Sequence, residues 1–209
     1  MTGERAARAV PLWKRVFDVV ASVVLLVALG PVLGVAALLV RITTGSPVLF
    51  RQMRLGQDAR PFVLFKFRTM ITQTTGASGV LSEGERLTRI GRVLRSLSID
   101  ELPSLWNVLR ADMSLVGPRP LLPQYLSHYS PEQYRRHEVR PGITGWAQVN
   151  GRNSLSWEER FRYDVWYVDH LSPLLDLRIL GRTVVTMVRR DGISPQGRAT
   201  MESFHGSSR

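Results

Sequence analysis

Two adjacent carboxylates, Asp100 and Glu101, are the side chains in this sequence best suited to acid, base or nucleophilic chemistry. They lie in the run RSLSIDELPSLWNVLRADMSLVGPRP, residues 95–120, which also supplies several arginines. Ser98 with Glu101 three positions later matches a capping box, which predicts that the acids lie at the start of a helix. The positive field of a helix N-terminus keeps a carboxylate ionised and stabilises a phosphate that arrives beside it.

Pro103 restricts where that helix can begin, because proline cannot donate to the carbonyl four residues back and is tolerated only in the first turn. A helix over about residues 101–110, with Asp100 as its N-cap, is the alternative to a cap at Ser98. An acidic pair at a helix start can also serve only to offset the helix dipole, and the pair alone leaves that interpretation open.

The residues that follow favour a chemical role. After Asp112 the stretch SLVGPRP, residues 114–120, is not helical, and Pro118 and Pro120 hold Arg119 in an extended backbone. A rigid arginine close to two carboxylates is suited to bind a phosphate or another anion.

Two short strands are predicted before this run, at about residues 48–53 and 62–67, joined by a turn through residues 56–58. Lys66 and Arg68 are two positions apart and share one face of such a strand. We expect both to contact phosphate, with a solvated strand face as the alternative.

Long motifs in a fixed order resemble the small monotopic phosphoglycosyl transferases, a family of bacterial sugar transferases. The motifs are SIDELPSLWNVLRADMSLVGPRP, then PGITGWAQVNGRN at residues 141–153, and FRQMRLGQDARPFVLFKFRTM at residues 50–70. The resemblance covers about residues 14–182. Two positions depart from the family pattern, where Gly30 replaces a usual Ser and Ala111 replaces a common Gly. We expect Ala111 to impose a non-glycine conformation, with adjustment rather than loss of activity.

The resemblance implies an enzyme that transfers a sugar-1-phosphate from a UDP-sugar to a polyprenyl (undecaprenyl) phosphate and releases UMP. This reaction is the first membrane step of glycoconjugate or polysaccharide synthesis. Asp100 is the implied nucleophile, which forms an aspartyl-phosphosugar, and a ligand of Mg²⁺; Glu101 is implied as a metal or proton partner. The basic positions that match family phosphate-binding residues are Lys66, Arg95, Arg119 and Arg152, with Pro118 and Pro120 framing Arg119.

An apolar segment near the N-terminus predicts contact with a membrane. Residues 19–40 carry no charge, and about 33 Å of helix would suffice to cross a bilayer once. Gly30-Pro31 lies at the midpoint, and both flanks are basic, which assigns both ends to the cytoplasm. The residues alone leave a single span and a re-entrant helix open. The resemblance favours a re-entrant helix over residues 14–41 with its kink at Gly30 and Pro31.

The rest of the chain predicts a mixed α/β fold, mostly helical, with a small β-hairpin and surface amphipathic helices around a cytoplasmic catalytic domain. The predicted divisions are a disordered N-terminus at residues 1–13, the membrane helix, the catalytic domain at 42–190 and a flexible tail at 191–209. Helices are expected over residues 86–97, from Ser130, over 157–169 and over 172–190, with loops at 71–84 and 140–153.

Composition limits the class of partner. The chain has no cysteine, its four histidines lack metal-ligand spacing, and its net charge is +11. Residues 1–70 hold ten Lys and Arg against three acids, so a basic segment adjoins the apolar one and predicts contact with anionic phospholipids. No nucleic-acid recognition motif is present, and no nucleic-acid partner is expected. Together with these features, the resemblance implies the cytoplasmic face of the bacterial inner membrane. A non-catalytic membrane-surface scaffold or lipid-binding protein is the alternative to the enzyme.

Overall fold

The computed structural model describes residues 9–71, 82–151, 154–189 and 204, without the side chains of residues 83, 188 and 189. Within these ranges the chain is mostly helical and carries two small two-stranded sheets. The predicted disorder at residues 1–8, the middle of the 71–84 loop and nearly all of the 191–209 tail lie outside the described residues. Phe204, predicted to lie in that tail, is instead buried beside Tyr125 and Phe161, because its ring completes an aromatic cluster.

Two helices at the N-terminus meet at a sharp break. Helix α1 spans Leu12–Ala28, helix α2 spans Gly30–Thr44, and their axes are bent by 65°. Among the described residues no single helix is long and apolar enough to cross a membrane. The two helices of this bent pair, taken together, have the required length and apolar composition. The predicted break is present, but it falls at Leu29, because Pro31 is tolerated in the first turn of α2. A Cβ atom at Gly30 would meet no atom within 4 Å, so packing does not require glycine there.

Both ends of the helix pair attach to the same body of the protein. Near the start of α1, Arg15 donates to the carbonyl oxygens of Val108 at 2.6 Å and Leu109 at 2.8 Å. Towards the end of α2, Ala36 and Val40 pack in a cluster with buried residues of the hairpin and of helix α4 (Arg89–Ser96). The apolar faces between these attachments remain bare, with Val20, Val24, Val27, Val35 and Leu38 each more than half exposed.

The predicted hairpin is confirmed. Strands β1 (Leu49–Leu55) and β2 (Pro61–Phe67) pair antiparallel from Leu49 opposite Phe67 to Leu55 opposite Pro61. A short 3₁₀ turn, Gln57–Ala59, joins them. Phe62 and Leu64 on β2 enter the main core, so the strand also fixes where Lys66 emerges.

The prediction for the acidic segment was wrong in its helix type. Helix α4 ends at Ser96, Ser98 takes a left-handed φ of 55° without capping, and a 3₁₀ helix follows at Ile99–Ser104. An α-helix, α5, begins only at Leu105 and ends at Leu109. Because Pro103 lacks an N–H, it interrupts the i to i−4 pattern, and the tighter 3₁₀ turn accommodates it. Asp100 is therefore inside a 3₁₀ turn and is not an N-cap.

The stretch predicted as a loop at residues 140–153 contains two short elements. Strand β4 (Gly142–Thr144) pairs parallel with β3 (Ser114–Val116), and helix α7 covers Trp146–Val149. Gly142 is required by this close approach, since a Cβ atom there would lie 2.1 Å from the backbone nitrogen of Gly117. Each strand of this sheet has three residues, which is too few for the alternation of apolar and polar residues that predicts a strand.

The remaining helices agree with the sequence apart from their ends. A separate helical turn, α3 (Glu83–Arg86), precedes α4 where the predicted loop at residues 71–84 meets the predicted helix at 86–97. It begins there because Ser82 and Glu85 form a capping box. Further 3₁₀ turns flank α6. The elements are 3₁₀ Pro123–His128, α6 Pro131–Tyr134, 3₁₀ Arg135–Glu138, α8 Trp157–His170 and α9 Pro173–Arg189. The main core lies between β2, α5, β3, α8 and α9.

Ala111 shows how the chain handles one of its departures from the family pattern. The expected non-glycine conformation was wrong, because Ala111 keeps a left-handed φ of 69°. The methyl group therefore sits in a backbone region that costs an L-residue about 1 kcal/mol. The turn is held by bonds from the backbone nitrogens of Asp112 and Met113 to the carbonyl oxygen of Asn107.

We expect Ala111→Gly to raise the free energy of unfolding by about 1 kcal/mol, because glycine occupies this region without steric cost. Denaturant unfolding of the detergent-solubilised protein measures the change. The matched control is Ala37→Gly in the middle of α2, which should lower stability by about 1 kcal/mol. A destabilised Ala111→Gly variant would contradict the backbone conformation described here.

Candidate active site

Glu101 links three separate elements through one carboxylate oxygen. Its Oε1 accepts from Lys66 Nζ at 2.6 Å and from Arg119 Nη2 at 2.9 Å. Lys66 comes from β2, Glu101 from the 3₁₀ helix and Arg119 from the segment after β3. The Lys66 and Glu101 side chains are about four-fifths buried, whereas the Arg119 side chain is 41% exposed. The arrangement leaves Arg119 open to an incoming anion.

The charges in this cluster set the protonation of Glu101. Burial alone would raise the pKa of Glu101, but Arg119 and Lys66 outweigh it and hold the pKa well below its usual range. Burial lowers the pKa of Lys66, and Glu101 opposes that effect. Glu101 is therefore an ionised partner of two cations at neutral pH and is poorly suited to act as a general acid.

Asp100 is chemically different from its neighbour. The residue is 9% exposed, and its carboxylate makes no hydrogen bond or ion pair with any residue that the structure describes. Burial, followed by the charge of Glu101, raises the pKa of Asp100, while Lys66, Arg95 and Arg119 act in the opposite direction. Asp100 is therefore suited to act as a nucleophile toward phosphorus, because its carboxylate is unbonded among the described residues, lies near cations and has a raised pKa.

The other predicted phosphate ligands have different surroundings. Arg95 donates from Nε to the hydroxyl of Thr69 at 3.0 Å and lies within reach of the charge of Asp100. Arg68 follows β2 and donates to the carbonyl oxygen of Pro47 at 3.3 Å. Arg152 lies outside the described residues. The structure thus brings Lys66, Arg95 and Arg119 together around the acidic pair.

Every backbone carbonyl of the Pro118-Arg119-Pro120 frame is bonded. Pro118 O accepts from the backbone nitrogen of Gly142 at 2.9 Å. Arg119 O accepts from Arg136 at 2.7 Å, and Pro120 O accepts from Arg54 at 3.3 Å. Sequence reasoning missed both arginines: Arg54 lies inside the 50–70 motif but no pattern singled it out, and Arg136 lies outside the three motifs.

A buried polar cluster attaches helix α1 to this frame. Lys14 Nζ, 2% exposed as a residue, donates to Val116 O at 3.0 Å and to Asp176 at 2.5 Å. Val116 precedes Arg119 by three residues. Asp18 accepts from the hydroxyl of Ser114 and from the backbone nitrogen of Leu115, each at 3.0 Å. The apolar helix pair and the arginine frame are therefore joined at strand β3.

The donor set determines which kind of metal site is possible. Within the described part of the chain, no group of three or more His, Cys, Asp or Glu side chains could hold a metal ion. Glu101 is committed to Lys66 and Arg119, which leaves Asp100 as the available carboxylate. Mg²⁺ is commonly held by one or two carboxylates together with substrate phosphates, so these residues fit an ion that arrives with its phosphates.

Comparison with known proteins gives concordant matches. A model of the family described as "Bacterial sugar transferase" matches residues 9–190. An uncharacterized sugar transferase, EpsL, of Bacillus subtilis is 51% identical over 194 residues, covering 93% of this chain and 96% of that protein.

Two further relatives carry names that state a reaction. The UDP-glucose:undecaprenyl-phosphate glucose-1-phosphate transferase of Caulobacter vibrioides is 42% identical, over 88% of this chain and 72% of that protein. The undecaprenyl-phosphate glucose phosphotransferase of Komagataeibacter xylinus is 46% identical over 83% of this chain. This chain covers only 35% of that longer relative.

The depressed pKa of Glu101 predicts a pH-dependent contribution to stability. An acid whose pKa is lowered by folding stabilises the protein when the pH is above the pKa of that acid in the unfolded chain, near 4.5. The contribution is lost progressively as the pH falls below 4.5 toward the pKa of the folded state. Glu101→Gln should therefore destabilise the protein at pH 7, and the loss should shrink toward pH 3.5. Denaturant unfolding of wild type and variant across this range gives the difference.

Glu132→Gln is the control for this series, because Glu132 is an exposed side chain paired with Arg135 on the surface. It should change stability little at any pH. A deficit in Glu101→Gln that is the same at pH 7 and pH 3.5 would contradict the charge assignment.

Proposed function

This chain belongs to the bacterial sugar transferase family, and from that premise we propose that it moves a sugar-1-phosphate from a UDP-sugar to undecaprenyl phosphate, releasing UMP. The observation that carries the proposal is the contrast between the two acids. Glu101 is bound by Lys66 and Arg119, while Asp100 has no hydrogen bond from a described residue. The relatives named above support the sugar-phosphate class of reaction.

The reaction proceeds in two displacements at one phosphorus atom. In the first, an Asp100 carboxylate oxygen bonds to the phosphorus that bears the sugar, and the bond from that phosphorus to the bridging oxygen breaks. UMP leaves with the bridging oxygen, and an aspartyl-phosphosugar remains. In the second, a phosphate oxygen of the polyprenyl phosphate attacks the same phosphorus and displaces Asp100, which regenerates the free carboxylate.

The basic residues stabilise the charge that this chemistry moves. Arg119 and Lys66 are held beside Asp100 by their shared contact with Glu101, so they need no reorganisation when the diphosphate arrives. The raised pKa of Asp100 makes its carboxylate a stronger nucleophile than an exposed one. Glu101 orients the cations in this scheme.

Mg²⁺ is part of the proposal as a cofactor. Asp100 would hold it together with the diphosphate oxygens, and the ion would neutralise charge on the phosphates. No all-protein cage is required, so the ion would enter and leave with its substrate.

The bent helix pair supports a re-entrant membrane anchor on the cytoplasmic face of the inner membrane. Both ends attach to the domain that carries Asp100, whereas the faces between them expose valine and leucine side chains. A segment whose two ends attach to one domain returns to the side from which it entered, and its bare apolar face suits acyl chains. Helix α9 adds exposed Leu174, Leu177 and Val184. The site is thereby accessible to a cytosolic UDP-sugar and to a lipid phosphate.

The non-catalytic scaffold is not favoured, because the family and the named relatives are transferases.

Asp100→Asn should abolish UMP release from a panel of UDP-sugars and the trapping of a radiolabelled phosphosugar on the protein. The amide cannot displace at phosphorus, and its shape is otherwise retained. Asp169→Asn, which changes a surface partner of Arg135, is the control and should keep both activities. An Asp100→Asn variant that forms a normal adduct would refute the nucleophile assignment.

Removal of divalent metal tests the cofactor separately. EDTA should abolish UMP release, and added Mg²⁺ should restore it, while the unfolding midpoint without substrate stays unchanged because no protein cage is lost. Full turnover in EDTA would overturn the magnesium proposal.

A further inference from the structure

Asn107, on α5, carries a buried amide that the mechanism above does not use. The residue is 0% exposed. Its Oδ1 accepts from the backbone nitrogen of Phe65 at 3.1 Å, and its Nδ2 donates to the carbonyl oxygen of Val63 at 2.7 Å. Both partners lie on β2, directly before Lys66. The contacts satisfy an amide that would otherwise cost free energy in the interior.

The amide pairs with the open edge of β2, which has a strand neighbour on one side only. The backbone nitrogen of Arg68 donates to Val48 O at 2.9 Å, so Arg68 and every second residue before it direct their backbone groups toward β1. Val63 and Phe65 alternate with these residues and therefore direct theirs away from β1. Asn107 meets one donor and one acceptor at that edge, as a third strand would.

The main chain of Asn107 holds a second segment of the site. Its carbonyl oxygen accepts from the backbone nitrogens of Asp112 at 3.0 Å and Met113 at 3.2 Å. Its Nδ2 also donates to the Asp112 carboxylate at 3.2 Å. Met113 leads into β3, and β3 leads into the frame that carries Arg119. One residue is thus bonded to the strand of Lys66 and to the turn that precedes Arg119.

The contacts of Asn107 bear on the cluster around Glu101. Lys66 Nζ and Arg119 Nη2 reach the same oxygen of Glu101 at 2.6 and 2.9 Å. A lysine ammonium ends a flexible four-carbon stem, so its position depends on where the strand places its Cα atom. Because Asn107 binds β2 one residue before Lys66, it determines how far that stem must reach.

We propose that Asn107 is a positioning residue: its side chain fixes β2 relative to the segment of Arg119 and thereby keeps Lys66 on Glu101. Its importance for catalysis rests on the proposed function, in which these two cations are held beside Asp100. Asn107 acts through Lys66 and contacts neither substrate nor the reacting atoms. Without the amide, Phe65 N and Val63 O lose their partner, and β2 is free to shift away from α5.

Nuclear magnetic resonance of the full-length, detergent-solubilised protein labelled with ¹³C at the lysine ε-carbons tests this role. The chain has only two lysines, Lys14 and Lys66, so two resonances are expected, and Lys66→Arg assigns them. Asn107→Ala removes the amide but keeps the main-chain contacts to the turn at residues 112–113. It should move the Lys66 resonance toward that of free lysine and leave the Lys14 resonance in place.

The same variant is assayed for UMP release. We expect kcat/KM to fall about 10- to 100-fold, the loss that a misplacement of about 1 Å produces in an active site. Asn150→Ala is the control for the resonances, because the Asn150 amide also bonds a backbone carbonyl, Trp146 O at 2.8 Å, but contacts neither lysine. Both lysine resonances should keep their wild-type positions in this control.

An unmoved Lys66 resonance in Asn107→Ala would overturn the proposal, and so would movement of both lysines, which would indicate a general loss of packing. If Asn107→Ala does not fold, Asn107→Asp decides, since it keeps the acceptor for Phe65 N and loses the donor to Val63 O. It should move Lys66 alone. A moved Lys66 with wild-type kcat/KM would overturn the part of Asn107 in catalysis. A moved Lys66 with no UMP release from wild type would support the positioning role and refute the proposed reaction.

Discussion

The carboxylate of Glu101, shared between Lys66 and Arg119, is the contact on which the site depends. It joins a strand, a 3₁₀ helix and an extended loop at one oxygen atom. Because both cations are bound by Glu101, neither of them pairs with Asp100, whose carboxylate has no bond from any residue that the structure describes. The two neighbouring acids thus have different roles: Glu101 holds Lys66 and Arg119 in place, and Asp100 is available to react. Removing Glu101 would leave Lys66 and Arg119 free to pair with Asp100 instead.

A second buried cluster ties the site to the apolar helix pair. Lys14 and Asp18 on α1 bind the backbone of β3, which leads directly into the arginine frame. Lys14 also contacts Asp176 on α9. Such polar groups, almost fully buried in an otherwise apolar setting, favour one arrangement of the helices over others, since each alternative would leave a charge unpaired. The position of Arg119 relative to α1 is therefore set by hydrogen bonds between charged side chains of α1 and strand β3.

Sequence reasoning succeeded where the signal was local. The hairpin, helices α8 and α9 and the break beside Pro31 follow from alternation, periodicity and the missing proline N–H. It failed where a distant contact or a turn decided the conformation. Ser98 matched a capping box, yet the chain reverses there in a left-handed turn, and the three-residue β3–β4 pair has no periodic pattern. For the site, the motif identified Asp100 and Arg119, but Arg54 and the residues around it were not predicted, because only the fold brings β1 and α8 to that loop.

The proposed reaction requires Asp100 to bond to phosphorus during turnover. The most direct measurement is to quench the enzyme after addition of a UDP-sugar with sodium borohydride, which reduces an acyl phosphate to an alcohol, and to sequence the peptides by mass spectrometry. We predict homoserine at position 100, formed only when the UDP-sugar is present. Release of UMP without modification at position 100, or with modification at another carboxylate, would contradict it.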